Sequence, residues 1–270
     1  MLIRFGFDIE FELPAPCVVT CMLYTHPSVA RALLKPDELT VEPATPVHIY
    51  WDSFGNRCGR VNAAAGRLRF TNDCLLEDTG RPDIVAPEAP QHSVAELPDD
   101  TLLYLLASRY CEVDRFSAIA WERFGGVPEG WGRVQAICDW VHSHVRFDYM
   151  QTHPSKSAWD VYQEGVGVCR DFQHLAITLC RCMNIPARYA TGYLGDIGVP
   201  PSPDPMDFSA WFQVYLDGRW YDFDARNNRP RIGRILMATG RDAVDVALTT
   251  SFGVADLKRF VVWTEDVSPA

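Results

Sequence analysis

Gly165-Val166-Gly167-Val168-Cys169-Arg170-Asp171-Phe172-Gln173-His174-Leu175-Ala176 is the stretch on which the fold turns. Phe172, Leu175, Ala176, Leu179 and Met183 share one helical face and Pro186 closes the run, so a helix is expected to begin at or near Cys169. A cysteine there stands among unsatisfied backbone NH groups at the positive end of the helix dipole, which favours a thiolate, and Arg170 is expected to help. The glycines just before it would let a substrate backbone come close. The competing reading is that Cys169 is one more small buried hydrophobe, as unpaired cysteines usually are.

Downstream, Ser209-Ala-Trp-Phe-Gln-Val-Tyr-Leu-Asp-Gly-Arg-Trp-Tyr-Asp-Phe-Asp224 reads as two strands joined by Asp217-Gly218, a strong hairpin signal. A two-residue turn pairs Leu216 with Arg219 and carries the register to Trp211 opposite Asp224 and Ser209 opposite Arg226. Ala210, Phe212, Val214, Leu216, Tyr221 and Phe223 then form an apolar face. Ser209, Trp211, Gln213, Tyr215, Trp220, Asp222, Asp224 and Arg226 form the other, with Trp211 read as packing more than as a groove wall. On that face Ser209 and Asp224 are diagonal neighbours about 7 Å apart. An imidazole at position 209 would bridge that span; a serine is too short.

Working outward, residues 3–13 alternate apolar Ile3, Phe5, Phe7, Ile9, Phe11 and Leu13 with polar residues and Gly6, the period of a half-buried strand. Shorter runs at residues 17–24, 47–51, 57–62 and 67–71 are broken by Pro, Gly and Asn, which suggests a small antiparallel β domain. A proline-rich connection, Arg81 through Pro82, Pro87, Pro90 and Pro98, reads as a linker or irregular crossover. Beyond it, Leu102, Leu103, Leu105, Leu106 and Tyr110 fit a helix, as do Val134, Ile137, Cys138 and Val141. The expected architecture is α+β: a β domain over residues 1–95, then a helix-bearing domain over residues 96–270.

The composition bounds the function. The 47% hydrophobic and 22% charged fractions are those of an ordinary globular protein. A formal charge of −10 argues against nucleic acid or an anionic membrane as partner. The arginine-rich stretch from Arg226 to Arg241 is the one local basic bias and reads as a solvated face or loop. No window approaches the roughly 20 apolar residues of a membrane helix. Nine cysteines without zinc-like spacing read mostly as buried free thiols in a reducing, cytoplasmic setting.

Several segments together resemble the transglutaminase-like superfamily, and most closely its bacterial cysteine-protease branch with an N-terminal β domain. They are residues 152–160 and 165–176, Ile185-Pro-Ala-Arg-Tyr-Ala-Thr-Gly-Tyr193, the hairpin of residues 210–224, and Gly240-Arg-Asp-Ala-Val-Asp-Val-Ala-Leu-Thr-Thr-Ser-Phe-Gly253. They agree in order and spacing over most of residues 102–264. The resemblance implies a papain-like core in which a helix bearing the nucleophile packs on an antiparallel sheet. It implies Cys169 as nucleophile, Asp224 as the acid that orients a histidine, and thiol acyl transfer on peptide or glutamine-type amides. Position 209 is where the family carries that histidine, in His-Ala-Trp; this chain reads Ser209-Ala210-Trp211, and Gln213 stands where Glu is common.

Serine can neither hold a cysteine as thiolate nor protonate a leaving amine near neutral pH. Loss of such catalysis costs typically about 10²- to 10⁴-fold. Two functions stay open: an impaired cysteine-dependent amidase, peptidase or acyl transferase, or a non-catalytic module that binds a peptide or protein. His174 lies some 140° off the Cys169 face of the helix and reads as structural, as do His142 and His144; His153 sits in a loop-like stretch. Cys169, Asp171 and His174 do not converge as metal ligands on one helical face, and no cofactor is implied.

Overall fold

The computed structural model describes residues 1–151, 153–202 and 205–269. Thr152, the first residue of one resembling segment, lies outside them. The amino-terminal third is β-rich, as its alternation requires: β1 (Leu2–Leu13), β2 (Cys17–Cys21), β3 (Thr40–Glu42), β4 (Val47–Trp51), β5 (Arg57–Ala63) and β6 (Gly66–Glu77). Ile3, Phe5, Phe7 and Ile9 point into one core and are essentially sealed from solvent.

The helices follow: α1 (Asp99–Leu102), α2 (Val113–Phe124) and α3 (Trp131–His144), then the strand β7 (Arg146–Phe147) and α4 (Ala158–Glu164). Next come β8 (Val166–Gly167) and α5 (Cys169–Cys182), which starts at the expected residue. The remaining strands are β9 (Ala187–Leu194), β10 (Ser209–Leu216), β11 (Arg219–Phe223), β12 (Arg234–Gly240), β13 (Thr249–Ser251) and β14 (Asp256–Asp266).

A central antiparallel sheet of order β11-β10-β9-β12 carries α5 on one face. Ala210, Phe212, Val214, Leu216, Tyr221 and Phe223 join the helices in one core, as the hairpin alternation predicts. Asp217 and Gly218 both have positive φ, +47° and +75°, the turn that matches strand twist. The other face offers Tyr193, Ile235 and Met237 to the core of the amino-terminal sheets. A bulge between Leu236 and Ala238 lets β12 serve both cores, since Ile235 and Met237 enter one and Ala238 the other.

Two sequence expectations need correction. The chain does not divide cleanly at residue 95, because β13 pairs with β2 and β14 runs along β1 from Ile3 opposite Asp266 to Glu12 opposite Asp256. β1 is therefore an inner strand of the sheet β14-β1-β6-β3. Alternation fixes which face of a strand is buried but not which segment covers its edge. The second concerns residues 102–110, where only the end of α1 and a single 3-10 turn, Leu103–Leu105, are helical. Leu102, Leu103 and Leu106 stay exposed. With these leucines facing solvent, no buried stripe stabilises a longer helix; Tyr104 turns inward, edge-on to Trp220, and Tyr110 stacks on His174. The proline-rich connection is a crossover tied to the core, since Asp83 accepts from the Arg231 amide and the Arg234 guanidinium.

Gly192 sits where β10, β9 and β12 meet, paired with Ser209 on one side and Leu236 on the other. A Cβ there would lie 2.0 Å from the Ile235 carbonyl oxygen and 3.0 Å from the Trp211 ring. Gly192→Ala is expected to cost at least about 1–3 kcal/mol, the usual range for overpacking, read as a lowered denaturation midpoint with an unchanged m-value.

Candidate active site

Cys169 is the first residue of α5, and a short-range network fixes the helix start. The Asp171 carboxylate accepts the Val168 amide at 2.9 Å. Gly167 makes this possible, because a Cβ at that position would stand 2.7 Å from the Asp171 side chain. Its role is thus to admit Asp171, rather than to admit a substrate backbone as the sequence suggested. Arg170 also departs from expectation. Its guanidinium pairs with Asp171 at 3.2 Å, donates to the His153 carbonyl at 2.6 Å and lies over the Tyr110 ring, so it is spent elsewhere.

The Cys169 thiol is half-buried and lines a cavity of about 590 Å³. The walls come from Phe147 and Tyr149, the end of β9 and residues beyond it, Asp207 to Ser209 leading into β10, Arg226 to Arg231 after β11, and Thr264 of β14. Burial pushes the thiol up to about 11; Arg226 and the Arg170 amide oppose this, while Asp207 and Asp224 add to it. Desolvation and the two carboxylates thus work against the thiolate that a helix N-terminus favours.

Ser209 opens β10 on the wall of the same cavity, paired with Gly192 of β9. Asp224 is not there. β11 ends at Phe223, so the pairing runs as predicted only from Leu216 opposite Arg219 to Phe212 opposite Phe223, and Asp224 lies one residue beyond it, sharing the Gln173 side-chain donor with the Ala210 carbonyl of β10. Its carboxylate is almost wholly buried. It accepts from Gln173 (3.1 Å), the Arg226 and Asn227 amides (3.0 Å each), the Asn227 side chain (2.8 Å) and Arg234 (3.3 Å). Burial alone would raise its pKa, but Arg234 and these donors hold it below the usual carboxylate range. The structure brings Cys169 and Ser209 together on one cavity and holds the Asp224 carboxylate in a buried hydrogen-bond network.

None of the seven histidines lines this cavity. His174 is fully buried, its ring 4.9 Å from that of Tyr110 and 5.2 Å from that of Tyr189, and it accepts from the Ala243 amide at 3.2 Å. Burial holds it well below the ordinary imidazole value, so it is neutral scaffold. His142 and His144 contact the carbonyls of Ala225 and Tyr162. His153 bonds its own loop through Ser155. Trp211 is sealed, donating to Asp222 at 2.8 Å, and is packing as expected.

The sequence reading missed Tyr149 and Asp207, whose side chains bond at 2.8 Å on the cavity wall. Burial pushes the Asp207 carboxyl up, against donors from Tyr149 and the Phe208 amide. No motif marks either residue. The arginine-rich stretch did carry a signal, but it is no solvated loop: Arg231 and Arg234 are buried. All nine cysteines are free and seven are buried. Among the described residues no helix is long and apolar enough to cross a membrane.

Residues 120–225 match the transglutaminase-like superfamily core, a span that holds the α5 start and the whole hairpin. The chain is 29% identical to a candidate cysteine protease from Cytophaga hutchinsonii whose crystal structure superposes with a TM-score of 0.83, covering 100% of this chain and 92% of that one. It is 26% identical over 248 residues to an uncharacterized protein of Mycobacterium leprae, covering 88% of this chain and 87% of that one. The periplasmic domain of TgpA from Pseudomonas aeruginosa is a distant likeness, at 14% identity and a TM-score of 0.41 over 83% of this chain and 88% of that domain. Residues 120–225 thus form a transglutaminase-like superfamily core, with the Cys-bearing helix packed on the central antiparallel sheet, in a fold that is similar over the whole chain to that candidate cysteine protease.

Proposed function

We propose that this chain is a thiol-hydrolase relative whose Cys169 cavity binds a peptide or amide ligand and performs acyl transfer slowly at best. One observation carries the reading: the cavity presents Cys169 and Ser209 and no imidazole, and its thiol is pushed up to about 11. A nucleophile of that kind is about one part in 10⁴ thiolate at pH 7, and no imidazole lines the cavity to give a proton to a leaving amine. The likeness to a candidate cysteine protease supports the ancestry. Free thiols throughout fit a reducing compartment such as the cytoplasm.

A second reading, a working amidase with a different base, draws on Asp207, the buried carboxyl on the same wall. It is the weaker one. A carboxylate near the thiol raises the thiol's pKa instead of lowering it, and Asp207 already accepts from Tyr149 and its neighbour's amide.

The test is the pH dependence of Cys169 alkylation by iodoacetamide, followed by peptide mass spectrometry, beside hydrolysis of peptide and glutamine-amide substrates. A midpoint near 11 with negligible turnover is expected. A midpoint below about 8 with turnover abolished by Asp207→Asn would replace this reading with the second.

A further inference from the structure

The cavity that Cys169 lines is also lined by three arginines, Arg226, Arg229 and Arg231. Arg226 lies over the Phe147 ring at 3.9 Å, and neither it nor the exposed Arg229 has a carboxylate partner among the described residues. Arg231 is buried. Its Nη1 donates to Asn227 at 3.2 Å and Nη2 to the Gly195 carbonyl at 2.9 Å, while Nε has no partner. Among the described residues its one ion pair is with Asp196, at 3.7 Å. The Thr264 hydroxyl on the same wall is also buried and unpartnered. Unsatisfied buried polar groups are uncommon and call for a water or a ligand.

Among the described residues no acid on this wall pairs with Arg226 or Arg229, and Arg231 shares Asp196 with a backbone amide. Asp207 is occupied by Tyr149 and the Phe208 amide, and Asp196 accepts from the Ser202 amide at 2.6 Å. Three arginines thus line one cavity in a chain of formal charge −10. The volume, about 590 Å³, suits a ligand the size of a short peptide. Arginine's planar fork matches a carboxylate in two-point contact.

We propose that the Cys169 cavity recognises its ligand through a free carboxylate, held by Arg226, Arg229 and Arg231 beside the thiol. This rests on the cavity being the ligand site and adds the chemical class of what enters it: a short peptide presenting a terminal or side-chain carboxylate. The basic stretch that reads from sequence as a solvated loop is then the specificity element of the site.

Paired alkylating reagents test it on the full chain. Iodoacetate and iodoacetamide both lose iodide to the Cys169 thiolate, and only the first carries a carboxylate, so the ratio of their rates cancels the thiolate fraction. Measured at pH 9 by peptide mapping, the iodoacetate-to-iodoacetamide ratio at Cys169 in the folded chain should exceed that of the same residue in the urea-unfolded chain by about tenfold, the lower end for a hydrogen-bonded charge. Arg226→Gln with Arg229→Gln should bring the ratio back to the unfolded value. Protection by N-acetyl-Ala-Ala but not its C-terminal amide would assign a terminal carboxylate, and protection by the α-amide of N-acetyl-Glu a side-chain one. A folded ratio at or below the unfolded one, a ratio unmoved by the double variant, or protection by inorganic phosphate alone overturns the proposal. If iodoacetamide too fails to reach Cys169 in the folded chain, the open-cavity reading falls with it; if only the iodoacetate preference is missing, that reading stands.

Discussion

Ser209→His is expected to speed alkylation of Cys169 by iodoacetamide at pH 7 by between about 10- and 1,000-fold. An imidazolium beside a thiol lowers its pKa by roughly 1–3 units, and below the pKa each unit is tenfold in thiolate. The starting point is a thiol at about 11, and position 209 is on the same cavity wall, so the new side chain has room to approach. Peptide hydrolysis is expected to gain far less. The acid that would orient the histidine, Asp224, already accepts five hydrogen bonds from Gln173, Arg226, Asn227 and Arg234. A histidine with no orienting partner supplies charge but not a fixed proton donor. Equal alkylation rates in the two chains would show that position 209 does not reach the thiol.

Arg234→Met is expected to destabilise the fold by about 3–5 kcal/mol at pH 7, the cost of breaking a buried ion pair from one side. Its guanidinium is 6% exposed and bonds Asp83 at 2.9 Å and Asp224 at 3.3 Å, with the Asp224 side chain only 1% exposed. Methionine fills much of the same space, so the loss is mainly of charge compensation. The pH dependence separates charge from packing. In the native chain Asp224 is held below its usual value, so its contribution is present above about pH 4 and fades as the pH falls through the folded value. Without Arg234 both acids are buried with no ion-pair partner: Asp83, already raised by burial, goes higher, and Asp224 rises from its lowered value. The variant's deficit should therefore shrink as the pH falls from 7 towards 4, measured by urea denaturation at each pH. A deficit that is the same at both ends would mean that packing, not charge, is what Arg234 supplies.

The same network explains why the site was only partly legible beforehand. The cysteine at a helix start and the strand carrying Ser209 are local patterns, and both are where the periodicity of residues 165–183 and 209–223 puts them. Asp224 was placed by extending a correct register one pair too far. The hairpin pairing stops at Phe223, and the amides of Arg226 and Asn227 draw the carboxylate into the turn. Tyr149 and Asp207 come from separate segments that meet only on the cavity wall, and neither lies in a pattern that chemistry would single out.

What the sequence by itself determined is everything set by neighbours a few residues away: strand and helix periods, the Asp217-Gly218 turn, the start of α5, the apolar face of the hairpin, and the absence of histidine at position 209. Tertiary structure alone decided which segment closes the β1 edge, that the proline-rich connection is anchored through Asp83, and that the basic stretch lines a cavity. It also decided the protonation of Cys169. A helix terminus favours a thiolate by local geometry, but desolvation and the charges of Asp207, Asp224 and Arg226 act through space from residues remote in the chain, and their sum fixes the thiol near 11.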